Sequence, residues 1–120
     1  MRVWPSIALG LVALAAAAPV DSARAPSRLQ VVEQEYRLTL SRLSVRSGLA
    51  IVDVVNFGQD GHDLVLVRRA PGARPAQTRL VPPRGHAGLE VKLVAGRYDL
   101  YCSLPGHRAA GMRATLAVTR

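Results

Sequence analysis

Apolar and polar residues alternate in short runs from residue 26 to the end of the chain, and glycine or proline separates the runs. Tyr36, Leu38 and Leu40 are spaced by Arg37 and Thr39. Residues 49–55 are rich in Ile and Val, and residues 64–67 form a compact apolar run. Leu89, Val91 and Leu93 alternate with Glu90 and Lys92. Tyr98, Leu100 and Cys102 fall on one face, with Asp99 and Tyr101 on the other. Leu116 and Val118 share a face in the last run, residues 115–119. A period of two is the signature of half-buried strands, because successive side chains point to opposite faces.

Turn chemistry sits between these runs. Residues 46–48, 58–61 and 95–96 are glycine-bearing turns, and residues 69–77 and 82–88 are loops with Pro and Gly. No long segment after residue 26 carries the helical period. About seven or eight short strands with frequent turns predict an all-β fold, an antiparallel Greek-key β-sandwich. The segment just behind the N-terminal apolar run reads as a linker.

The N-terminal 25 residues have a different character. Arg2 precedes an apolar stretch over residues 7–18, and small alanines follow. This layout predicts a signal peptide over residues 1–25 and a domain over residues 26–120, exported to the periplasm or the cell exterior. Pro19 and Pro26 obscure the cleavage point. The apolar stretch is shorter than the roughly 18 residues a membrane span needs, so no span is expected once the signal is removed; a retained anchor is the alternative. The remaining length suffices for one small sandwich.

The net charge of +8 raises the question of nucleic acid. From Pro26 onwards there are 14 basic and 7 acidic residues. The arginines are scattered, and aromatics make up only 4 % of the chain, so no recognition helix or stacking platform emerges. Nucleic-acid binding is not expected. An acidic redox partner or an anionic surface is the natural counterpart of the basic excess.

Chemistry concentrates near the C-terminus. Cys102 is the only cysteine, and His107 and Met112 follow within eleven residues, in C-S-L-P-G-H-R-A-A-G-M. A single cysteine in an exported chain cannot form an internal disulfide. It is either a small buried hydrophobe or a metal ligand. His62, in Gly61-His62-Asp63-Leu64, lies 40 residues before it and opens an apolar run. Two imidazoles, one thiolate and a thioether suit mononuclear copper. Taken singly, His62 is an ordinary turn histidine and Met112 a core methionine. His86 sits in a Pro/Gly loop with no soft ligand nearby and is expected to be exposed. One cysteine and three histidines are too few for a binuclear or multicopper centre, so the domain is not expected to be an enzyme.

The stretch over residues 95–112, with Gly96-Arg97-Tyr98 leading to Cys102 and the Pro105-Gly106-His107 turn, resembles the cupredoxin family of small blue-copper proteins, the plastocyanin and azurin type. Gly61-His62-Asp63 opening a hydrophobic strand resembles it too, and the likeness covers residues 31–119. The resemblance implies one copper ion held by His62, Cys102, His107 and a weak axial Met112. It also implies single-electron transfer between redox partners through a partly exposed His107, with Leu104, Pro105, Ala109 and Ala110 as an apolar docking patch. A monomer is expected. Asp63 is placed to accept a hydrogen bond from the Ser103 backbone N–H or hydroxyl, or else to cap its own turn. A copper carrier or storage protein with the same ligands is the second reading, and a sandwich with vestigial ligands the third.

Overall fold

The computed structural model describes residues 13–18 and 24–120. Most of the expected signal peptide lies outside the described residues. Among the described residues no helix is long and apolar enough to cross a membrane.

The described residues form nine strands and one short helix, in the order β1 (Ser27–Gln34), β2 (Arg37–Leu40), β3 (Ser44–Arg46), β4 (Gly48–Asn56), β5 (Val65–Arg68), β6 (Ala76–Gln77), β7 (His86–Leu93), β8 (Gly96–Tyr101), α1 (His107–Ala110) and β9 (Arg113–Thr119). They form two sheets, β2-β1-β4-β7 and β3-β9-β8-β5-β6. The chain passes repeatedly between the sheets, which is the expected Greek-key sandwich.

The alternating runs form strands because each has one apolar face to bury. Leu29, Val31, Val52 and Val54 from one sheet meet Leu66, Leu100 and Leu116 from the other, all essentially inaccessible to solvent. Each such side chain contributes about 1.5–3 kcal/mol relative to exposure.

The sheets are mixed rather than wholly antiparallel. β1 runs parallel to β4, and β3 runs parallel to β9. Alternation reports which face is buried and carries no information on strand direction, so this could not be read from the pattern. β1 itself occupies the segment expected to be a linker. Its inward positions are Leu29, Val31 and Glu33, and the acidic residue disguises the alternation. The loop expected over residues 82–88 ends early, since His86 already begins β7, although His86 is exposed as expected.

The parallel pairing of β1 with β4 decides what meets at one pole. Glu33 lies opposite Asn56 in that register. The chain leaving β1 at Glu35 and the chain leaving β4 at residues 57–61 therefore emerge side by side.

Candidate metal centre

Cys102 directly follows β8, on the inward face established by Tyr98 and Leu100, and it is fully buried. The chain then turns through Pro105 and Gly106, and Gly106 has a φ of 78°. α1 spans His107–Ala110 and is capped by Gly111, whose φ is 131°. A side chain at Gly111 would strike the Tyr36 carbonyl oxygen at 2.6 Å, so this turn requires glycine. Two backbone bonds close the loop: Met112 N–H donates to the His107 carbonyl at 3.0 Å, and Cys102 N–H donates to the Met112 carbonyl at 3.1 Å. Met112 is fully buried behind them.

His62 comes from the approach to the neighbouring strand of the same sheet, since β5 pairs antiparallel with β8 and sets Val65 opposite Tyr101. It precedes β5 and pairs with Val81 through reciprocal backbone bonds of 3.1 and 2.6 Å. The turn before it is held by Asn56, whose side chain donates to the carbonyls of Asp60 (2.7 Å) and Val81 (2.9 Å) and accepts from Gly58 N–H (2.8 Å). The His62 ring is buried and reaches the thiol.

Three donor atoms converge. His62 Nδ1 and His107 Nδ1 are 3.2 Å apart, and Cys102 Sγ lies 3.9 Å from the first and 3.6 Å from the second. The point equidistant from the corners of that triangle lies about 2.1 Å from each, close to metal–nitrogen and metal–sulfur bond lengths of about 2.0–2.3 Å. Two imidazole nitrogens facing each other this closely, with a sulfur beside them, fit a metal ion between them. Burial pushes the Cys102 thiol up from its ordinary value, so an entering ion must displace its proton.

The surroundings of the donors are polar and fixed. Asp63 accepts from Ser103 N–H at 2.7 Å, from the Ser103 hydroxyl, and from Gln77 Nε2 at 2.8 Å. Burial pushes the Asp63 carboxyl up, but the bonds from Ser103 and Gln77 outweigh it and hold the group below its usual value. The expected Asp63–Ser103 link is therefore present, through both N–H and hydroxyl. On the far side of His62, Nε2 lies 2.9 Å from Glu35 Oε1. Glu35 also accepts from Asp60 N–H (2.7 Å) and Gln59 N–H (2.9 Å), which with His62 hold its carboxyl down at about 2. The Tyr36 ring stands edge-on to the His107 ring, with centroids 5.1 Å apart and planes at 76°.

His62, Cys102 and His107 are thus brought together, Met112 is tied to them through the loop backbone, and His86 stays apart on β7. Glu35, Asn56 and Tyr36 escaped the sequence reading. The alternation puts Tyr36 in a strand with Leu38 and Leu40, but it lies in the turn before β2 and is half exposed.

Searches with family models and among curated proteins return no match for this chain. Solved structures do match. Dithionite-reduced auracyanin from the photosynthetic bacterium Roseiflexus castenholzii aligns with a TM-score of 0.64 at 18 % identity, covering 81 % of this chain and all of that one. Auracyanin A, a "blue" copper protein of Chloroflexus aurantiacus, aligns with a TM-score of 0.64 at 14 % identity, over 79 % of this chain and all of the other. The fold is that of the cupredoxins. The same cupredoxin fold occurs within larger proteins: a copper-containing nitrite reductase of Thermus scotoductus aligns with a TM-score of 0.59 at 17 % identity, covering 80 % of this chain but 32 % of the reductase.

Proposed function

We propose that this domain binds one copper ion through His62, Cys102, His107 and Met112 and carries single electrons between redox proteins outside the cytoplasm. The observation that supports the reading most directly is the triangle of Nδ1, Nδ1 and Sγ at 3.2–3.9 Å, a soft mixed donor set suited to copper. When bound, copper supplies a one-electron Cu(I)/Cu(II) couple. Cys102 offers the thiolate, the two histidines the imidazoles and Met112 a weak thioether.

The protein's part is to hold these donors still. Their backbones are locked by the residue 102–112 loop bonds, the His62–Val81 bridge and the Asp63–Ser103 link. A donor set that keeps its shape in both oxidation states costs little to reorganise. His107 is the partly exposed member and offers the route for electrons. Leu104, Pro105 and Ala109 flank it, and Arg108 stacks over Tyr101 at 3.9 Å beside that patch. An apolar patch with an arginine at its margin suits a transient partner with an acidic rim.

The burial of Cys102 and Met112 favours electron transfer over copper delivery, because handing the metal on requires a partner's ligands to reach it. The N-terminal signal-like layout supports export. The test is to add Cu(II) to the metal-free protein and record the visible spectrum and then the voltammogram. An intense blue thiolate-to-copper band with a reversible one-electron wave is expected. A colourless adduct sinks the proposal.

A further inference from the structure

His62 is held from behind by a carboxylate that arrives from a different strand. Glu35 follows β1, 27 residues before His62, and Oε1 sits 2.9 Å from Nε2. The carboxylate is itself clamped by the N–H groups of Gln59 and Asp60, at 2.9 and 2.7 Å, with Oε2 sharing the Gln59 donor at 3.0 Å. Successive backbone N–H groups of this kind form an anion-holding concavity. Gly58 leaves room for it, since a Cβ there would collide with the Glu35 carboxylate. The His62 ring is fully buried, and the described residues offer Nε2 no other hydrogen-bond partner.

We infer that Glu35 is a positioning residue for the metal: it fixes the His62 tautomer and ring orientation so that Nδ1 presents its lone pair to the ion, and it sets a negative charge one imidazole away. An ionised carboxylate only accepts hydrogen bonds, so the Nε2 facing it must carry the proton. In a neutral ring the lone pair is then on Nδ1, the atom facing Cys102 and His107. Carboxylates behind ligand histidines act in this way at metal sites generally. The fixed charge favours the more positive oxidation state and lowers the reduction potential. The inference rests on the copper reading above, but its first test needs no metal.

Two variants separate hydrogen bond from charge. Glu35→Gln keeps an acceptor oxygen for His62 and loses the charge; Glu35→Ala loses both. Nitrogen-15 NMR of the metal-free chain should show His62 as the Nε2–H tautomer in the wild type and in Glu35→Gln, and as a mixture in Glu35→Ala. With copper, both variants should have a raised potential, and Glu35→Ala should bind copper about 10–100-fold more weakly. If Glu35→Ala keeps the wild-type tautomer, affinity and potential, the inference is overturned. Should Glu35→Ala not fold, Glu35→Gln decides alone, and an unchanged potential in it overturns the charge assignment. If the wild type itself forms no blue site while the NMR shows the Glu35-dependent tautomer, the copper proposal fails and the Glu35–His62 coupling stands.

Discussion

The Asp63 carboxylate accepts hydrogen bonds from both the N–H and the hydroxyl of Ser103, a residue 40 positions later and next to the only cysteine. Asp63 follows His62 and Ser103 follows Cys102, so this one carboxylate couples the two strands that supply the nitrogen and sulfur donors. Asp63→Ala is expected to lower stability by about 1.5–3 kcal/mol, the range for hydrogen bonds to a charged group. Its folded pKa is lowered, so its contribution is present above the ordinary Asp value and is lost as pH falls through the folded value. Chemical denaturation at pH 7 and in acid checks this: the gap between wild type and variant should shrink in acid.

Cys102→Ser should remove the blue band on copper addition and leave the fold in place, because only the thiolate is lost. Circular dichroism reports the fold and the visible spectrum the site. A blue Cys102→Ser protein would show that sulfur is not the chromophore.

Met112→Leu keeps the volume of a fully buried side chain and removes the thioether proposed as a weak ligand. Copper should remain bound and the reduction potential should change, as voltammetry will read. An identical potential in the variant means that Met112 only packs.

His107→Gly should open the site at its partly exposed ligand. The wild-type spectrum should disappear and return in part when imidazole is added, while electron exchange stays slower than in the wild type. His86→Gly is the control, since His86 is exposed on β7 and apart from the donors. The ligand assignment is wrong if the control destroys the site and His107→Gly spares it.

Glu33 is the least comfortable residue in the core. It is fully buried on β1, and among the described residues neither oxygen has a hydrogen-bond partner. Burial, with Asp63 nearby, pushes its carboxyl up to about 8. The folded state therefore holds a proton that the unfolded chain releases above its ordinary value of 4.5. Stability should be greatest with respect to this group below that value and should fall as pH rises towards about 8, levelling off beyond. Glu33→Met should flatten this slope and raise stability at neutral pH by about 1–3 kcal/mol, the cost of an unpartnered buried polar group. Urea denaturation between pH 5 and pH 9 (spanning the range in which a carboxyl raised by burial titrates, roughly 5–9) measures it. Parallel curves for wild type and variant would show that Glu33 is partnered in solution.

The sandwich, and the convergence of His62, Cys102 and His107, are legible in the chain's own pattern. Leu38, Val91, Leu100 and Leu116 sit in runs whose period of two is a local property, and the strands follow from it. Cys102, His107 and Met112 lie on one short loop, so their proximity is fixed by a few bonds of chain. His62 joined them because its place at the mouth of an apolar run implies a strand end at the same pole. Tertiary structure alone decided what surrounds the donors. Whether β1 pairs with β4, and in which direction, depends on side chains far apart in sequence, and no local pattern records it. That pairing carries Glu35 to His62, Tyr36 to His107 and Glu33 into the core. Alternation sets which face a strand buries; the register between strands sets which residues of different strands meet, and the shell around His62, Cys102 and His107 is built from register.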